Sequence, residues 1–412
     1  MNNTDLAVIG AGPSGMMAAI TAASYGNKVI LIEKNSSAGK KLLITGNGRC
    51  NLTNTVPINE FIKKFQRKGN FLRSAFSRFT NRDLMEFFES KGLKLKVENN
   101  GRVFPQTDDS KSVLEILLKE LKRRSVKVMY NHRLNSIETT NGGFRLKFDQ
   151  NDDIMAKNVI LATGGVSYKT TGSDGDGHKI AGKTGHNITA LEPGIVPVKT
   201  LEFWVRELSG IQLVSVVGSI KHSKGKLKME GDILFTHQGL SGPMILDNSS
   251  SLVEILKRDE RIFLNIDMYP EKTLEQLSEE FLIAREEHGK VDLGNHMKLK
   301  LPNRMIPLFL EMAKAEPKLK MNQLGKKERN NIINLLKSFP LTITGYSSTE
   351  KAMVTCGGIS SKDFDPNTME SKIVSGLFFA GEILDGCGPS GGYNLQQAFS
   401  TGYLAGLMIK NY

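Results

Sequence analysis

DLAVIGAGPSG, residues 5–15, runs on through MMAAITAASYG into KVILIEK, and the reading of this stretch decides the fold. An apolar strand leads into Gly10-Ala11-Gly12-Pro13-Ser14-Gly15, a helix follows, and a second apolar strand ends at Glu33. That order makes a complete dinucleotide-binding βαβ unit. Gly10 allows the tight turn off the strand, Gly12 lets the backbone approach a pyrophosphate, and Gly15 lets the helix lie close to the sheet. Free amides at the helix start face the anion, and Glu33 is placed to accept hydrogen bonds from a ribose.

At 412 residues the chain is too long for one ordinary core, so two or three domains are expected. A hydrophobic fraction of 39% and a charged fraction of 24% describe a soluble globular protein. No apolar run approaches the ~20 residues needed to span a bilayer, so no membrane association is expected. The N-terminal apolar stretch lacks a preceding basic region and is already used by the nucleotide motif, which argues against a signal peptide. Cys50, Cys356 and Cys387 are too few and too scattered for a disulfide scaffold, and their spacing gives no zinc site; no metal is expected, and a reducing cytoplasm fits. The net charge of +12 suits a nucleic-acid partner or an anionic substrate, and equally a solvated lysine-rich surface.

After Glu33 a polar loop leads to KKLLITGNGRCNLTN, where Gly46, Asn47 and Gly48 break the pattern just before Arg49, Cys50 and Asn51. Two glycines, a positive charge and a thiol in one loop suggest a segment that clasps a cofactor. Residues 57–92 read as helices, with Asn81 as an N-cap and Gly92 as a stop. Strand-like residues 93–107 carry a turn at Asn99-Asn100-Gly101. An amphipathic helix over 110–124 presents Val113, Leu114, Leu117, Leu118 and Leu121 as a core stripe. Residues 126–163 read as a parallel strand, an antiparallel crossover, and a buried strand delivering Thr163-Gly164-Gly165 at its carboxyl end, where open parallel sheets bind ligands.

From about residue 191 the pattern turns to short strands. The expected organisation is α/β: a single Rossmann-like dinucleotide-binding domain (1–190 and 350–412) with an inserted β-barrel-like domain (191–249 and 336–349) and a small helical subdomain (250–335). The closing stretch, SGLFFAGEILDGCGPSGGYNLQQAFSTGYLAGLMI, is nucleotide-domain material again: a strand ending at Gly381-Glu382, a glycine-rich loop, and an apolar helix carrying Gly402 and Gly406.

Together with TGNGRCNLTN, FTHQGLSGP and MVTCGGI, in that order, AGEILD and SGGYNLQQA resemble the bacterial HI-type (BaiN-like) family of NAD(P)/FAD-dependent oxidoreductases. That family includes bile-acid reductases, an aminoacetone oxidase and a 23S ribosomal RNA dihydrouridine synthase. The resemblance spans essentially the whole chain. It implies FAD lying along Gly10, Gly12, Pro13, Ser14 and Gly15, with Glu33 on the adenosine ribose and Lys34, Gly39, Lys40 and Lys41 close by. Leu134, Thr163, Gly164 and Gly165 are implied at the adenosine half. Gly48, Arg49, Cys50 and Asn51, then Gly381, Glu382, Asp385, Gly391, Gly392, Tyr393, Asn394 and Leu395, are implied at the ribitol and isoalloxazine. Amides at a helix N-terminus carry partial positive charge, which suits the anion of a reduced flavin.

A flavin makes hydride transfer the expected chemistry. There is no second GxGxxG unit, so NADH or NADPH would visit transiently as electron donor. Reducing a polarised carbon–carbon double bond also needs a proton donor. Cys50 and His237 are the catalytic candidates, each with a plain alternative: packing for Cys50, and capping the Gly-Ser-Gly-Pro turn for His237. The partner is a small-molecule substrate or ribosomal RNA, and the oligomeric state is open. The expected reaction is reduction of such a double bond with electrons from NAD(P)H; the alternatives are uridine reduction in 23S ribosomal RNA, small-amine oxidation, and a flavoprotein that binds without turnover.

Overall fold

The computed structural model describes residues 2–348, 350 and 352–409. It divides into two units: one holds the described residues up to Gly194 and again from Ser348 onward, the other spans Ile195–Ser347.

The first unit is built on a seven-stranded sheet. Its parallel part runs Lys127–Met129, Val29–Ile32, Asn2–Ile9, Ile154–Leu161, with Leu377–Phe379 also pairing in parallel to Ile154–Leu161. Val8 sits between Leu31 and Ile160 in register, and all three are fully buried. Continuous apolar runs such as VILI are what a strand covered on both faces requires. Gly143–Phe148 and Leu134–Thr140 extend the sheet as the antiparallel crossover.

The first helix, Pro13–Ser24, starts with proline at its first turn, where a missing N–H costs nothing. The closing helix, Tyr393–Met408, lies against it backbone to backbone. A Cβ on Gly402 would stand 2.2 Å from the Ser14 carbonyl oxygen, and one on Gly406 2.4 Å from that of Ala18. The last helix thus completes the layer begun by the first.

Residues 57–92 form three short helices, Ile58–Lys64, Leu72–Arg78 and Asn81–Glu89. The cap of the third is Thr80, not Asn81 as the sequence suggested. Thr80 Oγ1 accepts from Asp83 N and the Asp83 carboxylate accepts from Thr80 N, a reciprocal capping box. Asn81 instead donates from Nδ2 to the Asn54 and Val56 carbonyls, tying the helix to the preceding strand segment.

The cysteines also depart from expectation: Cys356 and Cys387 are disulfide-bonded, leaving Cys50 as a free, buried thiol. Their separation of 31 residues hides a proximity that the topology creates. Val354–Cys356 pairs antiparallel with Glu192–Gly194, and the Ile359–Leu384 bridge brings the loop after Leu384 alongside.

The second unit holds a closed six-stranded barrel ordered Val198–Thr200, Gly239–Ser241, Gly225–Thr236, Gln212–His222, Ile262–Asp267, Phe339–Tyr346 and back to the first. Ile262–Asp267 lies inside the stretch read as purely helical. Its strand period is clear in the buried Ile262, Leu264 and Ile266 alternating with exposed Phe263 and Asn265. Helices Leu274–Glu287, Ile306–Met312 and Lys326–Lys337 share one continuous core with the barrel, Phe281, Phe309 and Leu336 lying in the same cluster as Phe339 and Phe309 stacking on Phe339, rather than forming a subdomain with its own core. The expected boundary at residue 349 falls outside the described residues. No helix among the described residues is long and apolar enough to cross a membrane.

Candidate functional site

A cleft opens in the first unit at the carboxyl ends of its parallel strands, where such sheets bind ligands. Its free volume, mouth included, is about 1250 Å³.

One end is the Gly10–Ser14 turn. Gly10 has φ +104°, and a Cβ there would lie 2.5 Å from the Ala162 carbonyl oxygen. On Gly15 a Cβ would lie 1.9 Å from the Gly10 oxygen. A Cβ on Gly12 meets no protein atom within 4 Å: its open side faces the space a pyrophosphate would take. No side chain caps the helix at Gly12, so its first amides are left for an anion.

Glu33 is 8% exposed and fixes this turn from beneath. Its Oε2 accepts from Ala11 N at 2.9 Å, and its Oε1 accepts from Asn35 N at 2.9 Å and Asn35 Nδ2 at 2.7 Å. A carboxylate has about four acceptor positions, so one remains for a ribose hydroxyl. Lys34 also lines the cleft, with its ammonium held by Asp174 at 2.5 Å and Asp176 at 3.2 Å.

Glu382 anchors the other end. Its Oε2 accepts from Lys41 Nζ at 2.7 Å, and its Oε1 accepts from Thr355 N at 2.7 Å and Ser167 Oγ at 3.1 Å. Lys41 donates to Ser167 Oγ as well, closing a small network. Burial works to raise the Glu382 carboxyl, but the Lys41 charge and these donors outweigh it and hold the group below the usual carboxylate range. Beside it the closing helix begins at Gly392 without a side-chain cap, and Asn394 clasps the preceding loop through Gly388 N and the Gly388 and Pro389 carbonyls.

Two buried groups on the cleft wall, Thr163 Oγ1 and Gln397 Nε2, have no hydrogen-bond partner. Thr163 Oγ1 is packed against Gly177, where a Cβ would stand 1.9 Å from it, so it faces the helix behind the wall. Bare helix amides and clearance over Gly12 together fit a flavin dinucleotide. Gly12 and Ser14 would hold its pyrophosphate, Glu33 its ribose, and Glu382 and Asn394 its other end.

The structure brings Gly10, Gly12, Pro13, Ser14, Glu33, Lys34, Gly39, Lys40, Lys41, Leu134, Thr163, Gly164, Glu382, Asn394 and Leu395 together on this cleft. Others stand behind it. Gly15 lies under the turn, while a Cβ on Gly165 would collide with Thr355 Oγ1, so that glycine makes room for the Glu382 network. Gly381 and Gly392 are close-approach positions against Ser14 and Thr53. Tyr393 is buried against Phe61, and Gly48, Asn51, Asp385 and Gly391 belong to the supporting loops. Arg49 lies 4.2 Å over the Phe104 ring and pairs with Glu98 and Asp108, so its charge is already used.

Neither catalytic candidate lines the cleft. Cys50 is fully buried, and burial pushes its thiol up to about 12. His237 lies exposed in the turn between Gly225–Thr236 and Gly239–Ser241 of the second unit. Sequence reading missed Gln397 and His132 on the cleft wall. Gln397 could have been found, since it lies four residues into the helix whose start was already assigned to the cofactor.

Residues 4–408 match the family model described as HI0933-like protein Rossmann domain. The chain belongs to this family. It is 32% identical over 406 residues to a 3-dehydro-bile acid delta(4,6)-reductase of Clostridium scindens, covering 97% of this chain and 98% of the relative. It is 29% identical to a ribosomal RNA dihydrouridine synthase of Escherichia coli, covering 98% and 97%. The fold matches a 3-ketosteroid delta1-dehydrogenase from Sterolibacterium denitrificans with TM-score 0.53 at 14% identity, over 99% of both chains. The protein is accordingly a flavin-dependent oxidoreductase of this family.

Proposed function

We propose that the chain is a cytoplasmic FAD enzyme that reduces a polarised carbon–carbon double bond of a small molecule, with NADH or NADPH as a transient donor. The observation that carries this is one cleft with an anion-receiving helix start at one end and the Lys41–Glu382–Ser167 network at the other. Likeness to a bile-acid double-bond reductase along almost the whole of both chains supports the reaction type. When bound, the flavin supplies a hydride to one carbon of the double bond. The chain's own work is to bind and orient: Glu33 and Gly12 at the first turn, Glu382 and Asn394 at the other end. The Cys50 thiol is sealed in the core, so it is not the source of the proton for the second carbon.

NADH or NADPH should bleach the bound flavin's absorbance anaerobically, and bleaching by neither would remove nicotinamide as the donor. Purified protein that releases no FAD on heating would remove the cofactor.

A second reading is uridine reduction in ribosomal RNA, since the uracil ring offers the same kind of polarised double bond. The relative of that name and the +12 charge favour it, with Lys221, Lys224, Lys226 and Lys228 crowded on one barrel hairpin. Mass spectrometry of ribosomal RNA from a deletion strain decides it: unchanged dihydrouridine removes the RNA reading.

A further inference from the structure

The disulfide between Cys356 and Cys387 sits among the residues that shape the Glu382 end of the cleft. On one side Cys356 follows Val354, which lines the cleft, and Thr355, whose N–H holds Glu382 Oε1 at 2.7 Å and whose Oγ1 accepts from Val166 N at 2.8 Å. On the other side Cys387 precedes Gly388, the backbone group that Asn394 grips from the start of the closing helix. The bond therefore links the strand that fixes Glu382 to the loop that Asn394 holds.

Backbone bonds already join these segments near Ile359, with Ile359 N donating to Ile383 O and Asp385 N to Ile359 O. Among the described residues the backbone ties to Ile359 reach Asp385; the disulfide carries the connection on to Gly388. The two sulfurs seat over Gly194, where a Cβ would stand 2.6 Å from Cys356 Sγ and 3.6 Å from Cys387 Sγ. Both cysteines are half-buried, whereas Cys50 is sealed, so the pair is more open to a thiolate from solvent than the free thiol. Disulfides in a reducing cytoplasm are rare and are more often redox-responsive than structural.

We propose that Cys356–Cys387 is a reducible clasp on the flavin site, opened by thiol–disulfide exchange with a protein dithiol of the Cys-x-x-Cys class. One thiolate of the dithiol attacks a sulfur of the pair, and that S–S bond breaks as a mixed disulfide forms. The second thiolate of the dithiol then displaces the remaining cysteine. In balance, the pair takes up two electrons and two protons and becomes two thiols, and the dithiol is oxidised to its own disulfide. Opening releases the Gly388 loop from the strand that holds Glu382, so flavin binds less tightly. Linkage is reciprocal, so bound flavin must make the pair harder to reduce.

The clasp rests on the flavin-site reading, and one titration separates the two. The full-length, flavin-loaded protein is treated anaerobically with a reduced Cys-x-x-Cys protein, with dithiothreitol or with a monothiol. It is then alkylated and mapped by mass spectrometry, and flavin affinity is measured by fluorescence. We expect the dithiols to expose Cys356 and Cys387 to alkylation while Cys50 stays unlabelled. Flavin Kd should rise on the order of tenfold, the middle of the usual range for coupled sites, and the flavin-free protein should need correspondingly less dithiol. The Cys356→Ser/Cys387→Ser protein should bind flavin as the reduced form does and ignore dithiol; if it does not fold, the wild-type titration decides alone. A pair that resists every dithiol until the protein is unfolded overturns the clasp. So does a reduced pair with Kd changed by less than about twofold, which leaves the flavin site standing. Protein that binds no flavin in either redox state overturns the site reading and the clasp with it.

Discussion

Gly12 and Gly15 stand three residues apart in one turn, and the structure gives them opposite failures. Gly12→Ala adds a methyl to empty space, so the flavin-free protein should keep its stability within about 0.5 kcal/mol in a urea melt while flavin affinity collapses. Gly15→Ala drives a methyl into the Gly10 carbonyl and should cost roughly 1–3 kcal/mol before any ligand is added. At the opposite end, Lys41→Met leaves the Glu382 carboxylate without its cation and should destabilise on the order of 3 kcal/mol. Glu382→Gln keeps acceptors for Thr355 and Ser167 and should cost about 1–3 kcal/mol. Because folding holds the Glu382 carboxyl below its ordinary value, its contribution is present above that value and is lost as pH falls through the lowered one. Wild-type stability should therefore drop more steeply in acid than that of Glu382→Gln, and parallel curves would contradict the network. Gly10, Gly12 and Glu33 were legible because each serves a local turn or strand end. The engagement of Arg49 with Phe104, Glu98 and Asp108, and the sealing of Cys50, were not, because both depend on partners that only folding brings near.

Helices and strands of the nucleotide unit were readable from periodicity and punctuation, down to the antiparallel crossover. One helix cap in that unit and one strand of the barrel unit were not. The cap at Thr80 hides in a Thr-x-x-Asp pattern beside a more conspicuous asparagine, and the reciprocal Thr80–Asp83 bonds decide it. Strand Ile262–Asp267 alternates correctly, but its six residues lie between charged helix-like segments, and its partners Phe339–Tyr346 and Gln212–His222 are distant in sequence. The contact between the first and closing helices was foreshadowed by Gly402 and Gly406, though nothing local said which helix they would face. Gly402→Val should force that pair apart, costing about 3 kcal/mol or more in a denaturant melt and releasing flavin. Full flavin occupancy in a folded Gly402→Val protein would show that the two helices need not touch.

At the scale of the molecule, the barrel and its helices own a core separate from that of the nucleotide unit. A fragment spanning 195–347 should then fold by itself, with a single cooperative melt followed by circular dichroism. A broad, non-cooperative transition would mean that the unit depends on its host. The insertion was visible in sequence because nucleotide-type patterning stops and later resumes. That barrel and helices fuse into one body was not visible, since the stacking of Phe309 on Phe339 joins segments with no shared periodicity.

The backbone contact of Gly402 with Ser14 also sets an order of events during synthesis. The βαβ unit leaves the ribosome before the barrel unit, and the helix that covers it only after. At roughly 5–20 residues per second the first helix waits on the order of tens of seconds with its apolar face uncovered, while the whole barrel unit emerges. A nascent chain stalled before Gly402 holds a finished phosphate turn and an unfinished domain, which makes it a substrate for chaperones rather than for flavin.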